Sequence, residues 1–221
     1  MGKRRSKVSR KPSVGKHTRE RIVAGAVEVF GKLGYANARV EDILLAADVS
    51  RPTFYKAFES KDEVFEELSD RHHRDIRERI LRSIEGVSDP AAQLEATTDA
   101  FMRWRAELGP IGRVLDVEAR IPGSSIAHHR AKTLGEMSDL FAERTRVAGR
   151  GKVDAVLYYG LIAALERVAD LLLSKHPVSE AAVQRAKQVA LRIVSGSLAA
   201  PGEPLPPLPG PPERSHVLKL T

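Results

Sequence analysis

The chain has 221 residues, with 36 Lys and Arg, 29 Asp and Glu, 7 His and no Cys. The absence of Cys excludes a disulfide framework, a thiolate metal site and a cysteine nucleophile, while 42% hydrophobic residues suffice for a core. The net charge of +7 is one-sided: residues 1–61 hold 14 basic and 6 acidic residues, residues 62–221 hold 22 and 23, so the first quarter is expected to meet a polyanion.

Residues 1–16 carry seven basic residues and no acid. They cannot bury enough apolar surface to order themselves, and a disordered basic arm is expected. No apolar segment follows, so this is not a secretory signal. A first helix is expected over His17–Leu33, because Ile22, Val23, Ala26, Val29, Phe30 and Leu33 form one apolar stripe. Thr18 is the expected cap and Gly34 the left-handed stop. Gly25, inside this helix, costs about 1 kcal/mol against Ala and points to close helix packing. A short helix follows over Val40–Ala47, with Ile43, Leu44 and Ala47 inward and Glu41 and Asp42 favoured by the dipole of its first turn. After a tight turn at Asp48-Val49, Ser50 caps a third helix, Arg51–Ala57, with Pro52 in the first turn, where it needs no N–H. Ser60 and Glu63 have capping-box spacing and open a long fourth helix reaching about Ile84.

Five more helices are expected over residues 90–108, 110–120, 125–148, 152–175 and 179–199, separated by Gly, Pro or His-Pro breaks. Val153–Leu173 is apolar nearly all round, which demands burial on more than one side. The next helix has a stripe of Val183, Ala186, Ala190, Ile193, Val194 and Ser197. Residues 201–221 hold seven of the thirteen prolines and should be extended or disordered. The longest apolar run, Ala155–Leu165, is eleven residues, against ~20 for a membrane span. The expected fold is all-α. It comprises a basic arm (1–16), a helix-turn-helix domain (17–62), a larger helical domain (63–200) and a Pro-rich tail (201–221).

Helix, short helix, four-residue turn and short helix is a helix-turn-helix pattern. Thr18–Phe65 resembles the DNA-binding domain of the TetR/AcrR family of bacterial transcriptional repressors. The marks in register are Phe30, Gly34-Tyr35, Ile43, Ala47-x-Val49-Ser50, Thr53-Phe54-Tyr55, Phe58 and Ser60-Lys61. The chain departs from the family pattern at Asp48, where Gly is usual, at Ala38-Arg39, where Thr or Ser usually caps, and at Ala57, where His or Tyr is common. The resemblance implies that the third helix enters the major groove of double-stranded DNA. Phe54 and Phe58, four residues apart, are then core. The expected DNA-facing residues are Arg39, Arg51, Pro52, Thr53, Tyr55, Lys56 and Lys61. Arg51 suits a guanine edge and Thr53 a thymine methyl. Lys56 suits a base or a phosphate, and Arg39 and Tyr55 a phosphate. Lys61 adds its charge to the free N–H groups of a helix start. The plain alternative for each is a solvated charge, or for Tyr55 a core ring. The basic arm either tracks a groove or is a solubilising tail.

The resemblance further implies a homodimer, since one helix-turn-helix reads one half-site. Its expected interface is Leu161, Leu165, Val168, Ala186, Val189 and Ile193, unless these finish the monomer core. A small-molecule effector is also implied, with Met102, Trp104, Leu108, Phe141 and Tyr158 the expected lining and a hydrophobic ligand suggested by their character. No catalytic residue, metal site or cofactor is expected. The His72-His73 and His128-His129 pairs point about 100° apart on a helix, HExxH is absent, and Gly149-Arg150-Gly151-Lys152 lacks P-loop spacing. The reading is a ligand-responsive repressor without enzymatic activity, cytoplasmic and nucleoid-associated, with no membrane contact. The alternatives are a related regulator that activates or lacks a ligand, and a helical adaptor docking through its Pro-rich tail.

Overall fold

A computed structural model describes residues 15–147, 152–173, 177–199 and 202–210. The arm expected over 1–16 lies almost wholly outside these residues, as do 211–221 of the tail. Among the described residues every regular element is a helix. The chain divides into two compact units, the first ending at Arg71 and the second starting at His72.

In the first unit α1 spans Lys16–Leu33, α2 Val40–Ala47 and α3 Arg51–Ala57, and α4 starts at Lys61. Ile22, Val23, Ala26, Val29 and Phe30 are buried as the stripe requires, but Leu33 is 45% exposed and leaves it. Thr18 is not the cap. The helix starts earlier, after Gly15, and the Thr18 N–H is already bonded to Gly15 O at 2.9 Å. Gly34 ends α1 at φ +74°, donating its N–H to Phe30 O. Asp48 takes the left-handed conformation (φ 49°, ψ 55°), which Asp tolerates better than most residues. Arg21 secures that turn, its guanidinium donating to Ala47 O at 2.8 Å and Asp48 O at 2.5 Å. These carbonyls at the end of α2 lack helical partners, so Arg21 acts as a C-terminal cap.

Gly25 marks a close crossing. A Cβ built there would lie 2.8 Å from Ala47 N and 3.0 Å from Ala47 Cβ. Backbone cannot step aside as a side-chain tip can. Overpacking costs ~1–3 kcal/mol, and the better helix propensity of Ala returns about 1 kcal/mol. Gly25→Ala is therefore expected to lower stability by up to about 2 kcal/mol in a urea melt; a higher midpoint would contradict the crossing.

Phe30, Phe54, Phe58 and Phe65 are fully buried. Phe30 meets Phe65 edge-on at 5.2 Å between centroids, and Tyr35 lies 4.6 Å from Phe65. Arg19 fastens α1 to the elements that follow. It donates to Ala57 O (2.5 Å) and Glu67 (3.0 Å), with its guanidinium 4.0 Å over the Phe58 ring. Burial opposes the Glu67 charge, but bonds from Arg71 and Arg19 outweigh it and hold the carboxyl below the ordinary range.

The second unit contains the end of α4 (Lys61–Ser83), α5 (Pro90–Leu108), α6 (Pro110–Glu118), α7 (Ser125–Val147), α8 (Ala155–Leu173) and α9 (Glu180–Leu198). Asp89 and Ser179 cap α5 and α9 by accepting from Ala92 N and Ala182 N. The helix α8 packs on α7 and α9, and α5 on α9. Its two acids turn inward: Glu166 is buried and Asp170 nearly so. Glu166 takes a two-pronged bond from Arg130 on α7. Arg105 on α5 bonds Asp116 on α6 through both nitrogens (3.2 and 2.6 Å) and Asp170 at 2.6 Å.

The Pro-rich segment 202–210 is extended. Glu203, Pro206 and Pro209 are half-buried while Leu205 and Leu208 are exposed, a three-residue period that suits polyproline geometry. Arg185 on α9 donates to Gly210 O at 3.2 Å.

Candidate nucleic-acid interface

The helix α3 is two-faced. Phe54 and Ala57, with Phe58 just beyond the helix, are buried, whereas Arg51, Pro52, Tyr55 and Lys56 are exposed. Arg51 and Tyr55, and likewise Pro52 and Lys56, stand four residues apart, so the exposed four form one patch on the helix. Ser50 caps this helix: its hydroxyl accepts from Thr53 N at 3.3 Å and meets the Thr53 hydroxyl at 2.8 Å. Thr53 is half-buried, and its methyl rather than its engaged hydroxyl suits a base. Tyr55 is 43% exposed with its ring edge-on to Phe54 at 5.3 Å, so it is not a core ring.

Two residues behave differently from expectation. The Arg51 guanidinium is paired with Glu41 on α2, which holds it across the turn and must yield if it binds a base. Lys61 points inward. Its ammonium donates to Tyr35 O (2.8 Å) and Ala38 O (3.0 Å) and lies 4.2 Å over the Tyr35 ring. It pins the loop between α1 and α2, which leaves little of its charge for an anion. Arg39 stays exposed at the start of α2, where the Asp42 carboxylate accepts the Arg39 backbone N–H at 2.9 Å. The missing Ser or Thr cap is thus replaced from inside the helix. At the start of α4, Ser60 Oγ accepts from Glu63 N, but Glu63 returns its bond to Glu59 N rather than Ser60.

Residues 22–68 match the family described as bacterial regulatory proteins, tetR family. That match takes in α2 and α3 and most of α1, about a fifth of the chain. It is 30% identical over 116 residues to the uncharacterised HTH-type transcriptional regulator YdgC of Bacillus subtilis, covering 49% of this chain and 59% of that protein. It is 32% identical over 72 residues to the HTH-type transcriptional repressor DhaR of a Mycobacterium, covering 33% and 36%. The chain thus spans less than two thirds of these relatives. In fold it resembles the fatty acid degradation regulator FadR of Bacillus halodurans, with a TM-score of 0.67 at 20% identity over 80% of this chain and 95% of that one.

The residues expected to line an effector site fall in three adjoining clusters. Met102 packs with Ala169, Leu173, Val183, Ala186 and Ala190. Trp104 packs with Ile76 and Ile80, and Leu108 and Phe141 border that cluster. Tyr158 joins Leu161 and Val194, stacks on Phe141 at 6.0 Å, and shares a hydrogen bond with Thr145. Phe141 links the second and third clusters, Phe101 links the first to the second, and Leu165 links the first to the third.

The residues expected at a dimer interface are largely used within the chain. Leu161 and Ala186 are buried, and Leu165, Val168 and Ile193 pack against the clusters. Val189 is half-buried. The outward face of α8 shows Val156 (73% exposed), Tyr159 (46%), Gly160, Ala163, Arg167 and Leu171. Among the described residues no three His, Asp or Glu are grouped to hold a metal, and no helix is long and apolar enough to cross a membrane.

Proposed function

We propose that the chain is a dimeric transcriptional repressor that binds a palindromic operator through α3 and is released by a small apolar effector in the helical unit. The observation that carries this reading is the exposed patch Arg51, Pro52, Tyr55 and Lys56 on a helix whose other face is locked by Phe54 and Phe58. Arg51 reads a guanine, Tyr55 and Arg39 hold phosphates, and Lys56 supplies either contact. Lys61 contributes as a strut. The protein works by binding rather than by catalysis.

Genomic DNA captured on the protein and sequenced should yield a palindrome whose half-sites lie about one turn apart, roughly 34–36 Å. Recovery of no enriched sequence would sink the reading. The sign of regulation follows from transcription of the neighbouring genes in a deletion strain, which should rise.

The dimer is assigned to the outward α8 stripe of Val156, Tyr159, Gly160, Ala163 and Leu171, where small residues let a second helix approach closely. Ala163→Arg would place a bulky second charge one turn from Arg167 in that contact. By sedimentation it should shift the protein to monomer, and operator affinity should fall by at least about tenfold, because a monomer reads one half-site. A variant that stays dimeric would place the interface elsewhere.

A further inference from the structure

The Pro-rich segment 202–210 turns back along the helix it follows. α9 ends at Leu198, yet Gly210 O accepts at 3.2 Å from Arg185, near the start of that helix. An extended polyproline run of this length reaches ~28 Å, enough to cover the ~20 Å of helix between Leu198 and Arg185. The side of α9 it covers can be placed. Lys187 reaches Glu95 and Asp99 of α5 at 3.0 and 3.4 Å, and Val183, Ala186, Ala190 and Val194 face the core. Arg185, Val189 and Arg192 follow at steps of four and three, so they form one strip on the flank opposite Lys187. Ile193, which packs with Tyr158 and Leu161 of α8, borders that strip, so the strip lies on the α8 side. Its three residues are half-buried and the Arg192 Nη1 is shut off from water. The neighbouring stripe of α8, with Gly160, Ala163, Arg167 and Leu171, is bare.

We propose that residues 202–210 cover the α9 half of the surface on which a second copy docks, so that the tail and the partner subunit compete for it. The proposal rests on the dimer reading above and adds its regulation. α8 and α9 pack side by side, and a stable interface takes about 20–30 residues from each partner. The α8 stripe alone is too small for that, so a docking copy must also take the Arg185–Arg192 strip beside it. The tail is suited to being displaced. Its prolines preset the extended conformation, so docking within the chain loses little entropy. Its grip is nevertheless slight, because Leu205 and Leu208 point away from the protein and the Arg185 bond to Gly210 is exposed.

Leu208 is 76% exposed and the chain has no Cys, so Leu208→Cys carries a single spin label without disturbing the packed face of the tail. Electron paramagnetic resonance follows the label on the full chain, while sedimentation counts dimers at the same concentrations. The label should be restrained in the monomer and released in step with dimer formation. Pro206→Gly combined with Pro209→Gly loosens the tail and leaves α8 and α9 untouched. It should lower the dimer dissociation constant by about tenfold or more, since each subunit gives up a contact worth roughly one hydrogen bond. A monomeric wild type whose glycine variant dimerises would support the proposal equally. A label already free in the monomer, or a dissociation constant that the glycines leave unchanged or raise, would overturn it. A dimer in which the label stays restrained would sink the competition and leave the dimer reading standing. A chain that remains monomeric even with the glycines would sink both.

Discussion

Arg105→Met is expected to destabilise the helical unit by about 3–5 kcal/mol, the cost of breaking a buried ion pair from one side. Arg105 is the shared counter-ion of two carboxylates. It bonds Asp116 at 3.2 and 2.6 Å and Asp170 at 2.6 Å, while Arg120 stands 4.0 Å from Asp170. Burial works against the Arg105 charge, but Asp116 and Asp170 outweigh it and leave the guanidinium more basic than usual. Burial and the neighbouring Asp116 push the Asp170 carboxyl above the ordinary aspartate range, and Arg105 only partly offsets them. Without Arg105 two nearly dry carboxylates face each other.

The pH dependence follows with its sign. A carboxyl whose folded pKa is raised takes up a proton in the folded state before it does so in the unfolded chain, so stability rises as pH falls through that window. The loss in Arg105→Met should thus be full at neutral pH and above, and should shrink in mild acid. Asp170→Asn is the contrasting variant. It removes one of two acids sharing a guanidinium and keeps an oxygen for Arg105, so it should stay within about 1 kcal/mol of the wild type. Urea midpoints at neutral and mildly acidic pH would measure both. Equal losses in the two variants, or a loss in Arg105→Met that grows in acid, would refute the shared-counter-ion arrangement.

Helix positions were legible because they are local. Ser50 caps α3 and Asp48 turns left-handed as the residue types demand, and Gly25 sits where a helix crosses. The destinations of long charged side chains were not legible. Arg19, Arg21 and Lys61 count toward the positive excess of residues 1–61, yet all three reach carbonyl oxygens inside the first unit. A net charge cannot separate a cation that faces a polyanion from one that caps a helix end. Periodicity had the same limit in the second unit. It showed that the Leu161 and Ala186 faces are buried, but not that their own chain covers them. Glu166 and Asp170, four apart in an apolar helix, were the available signal for the charge network, because two acids on one otherwise apolar face need cations opposite.

The second large effect belongs to α3. Arg51→Ala combined with Tyr55→Phe should weaken operator binding by about two to four orders of magnitude, each contact being worth ~1–3 kcal/mol. The Phe at 55 keeps the edge-on contact with Phe54, so the helix should stay folded and the loss would reflect contacts with DNA. Arg51 and Tyr55 are neighbours on the helix, so the single variants must be measured alongside the double. Arg51→Ala should also relax discrimination at one base pair. Tyr55→Phe should weaken all sequences alike, with little change in salt dependence because a hydroxyl releases no counterion. Lys56→Ala should lower the salt slope by about one. Glu41→Gln removes an acid from the DNA-facing surface and frees the Arg51 guanidinium, so its binding should tighten. Lys61→Met gives the sharpest contrast. With its ammonium on Tyr35 O and Ala38 O, its loss should appear in the melting transition, and the salt slope should hold. A salt slope that falls by one in Lys61→Met, with stability unchanged, would return that lysine to the DNA and take the strut away.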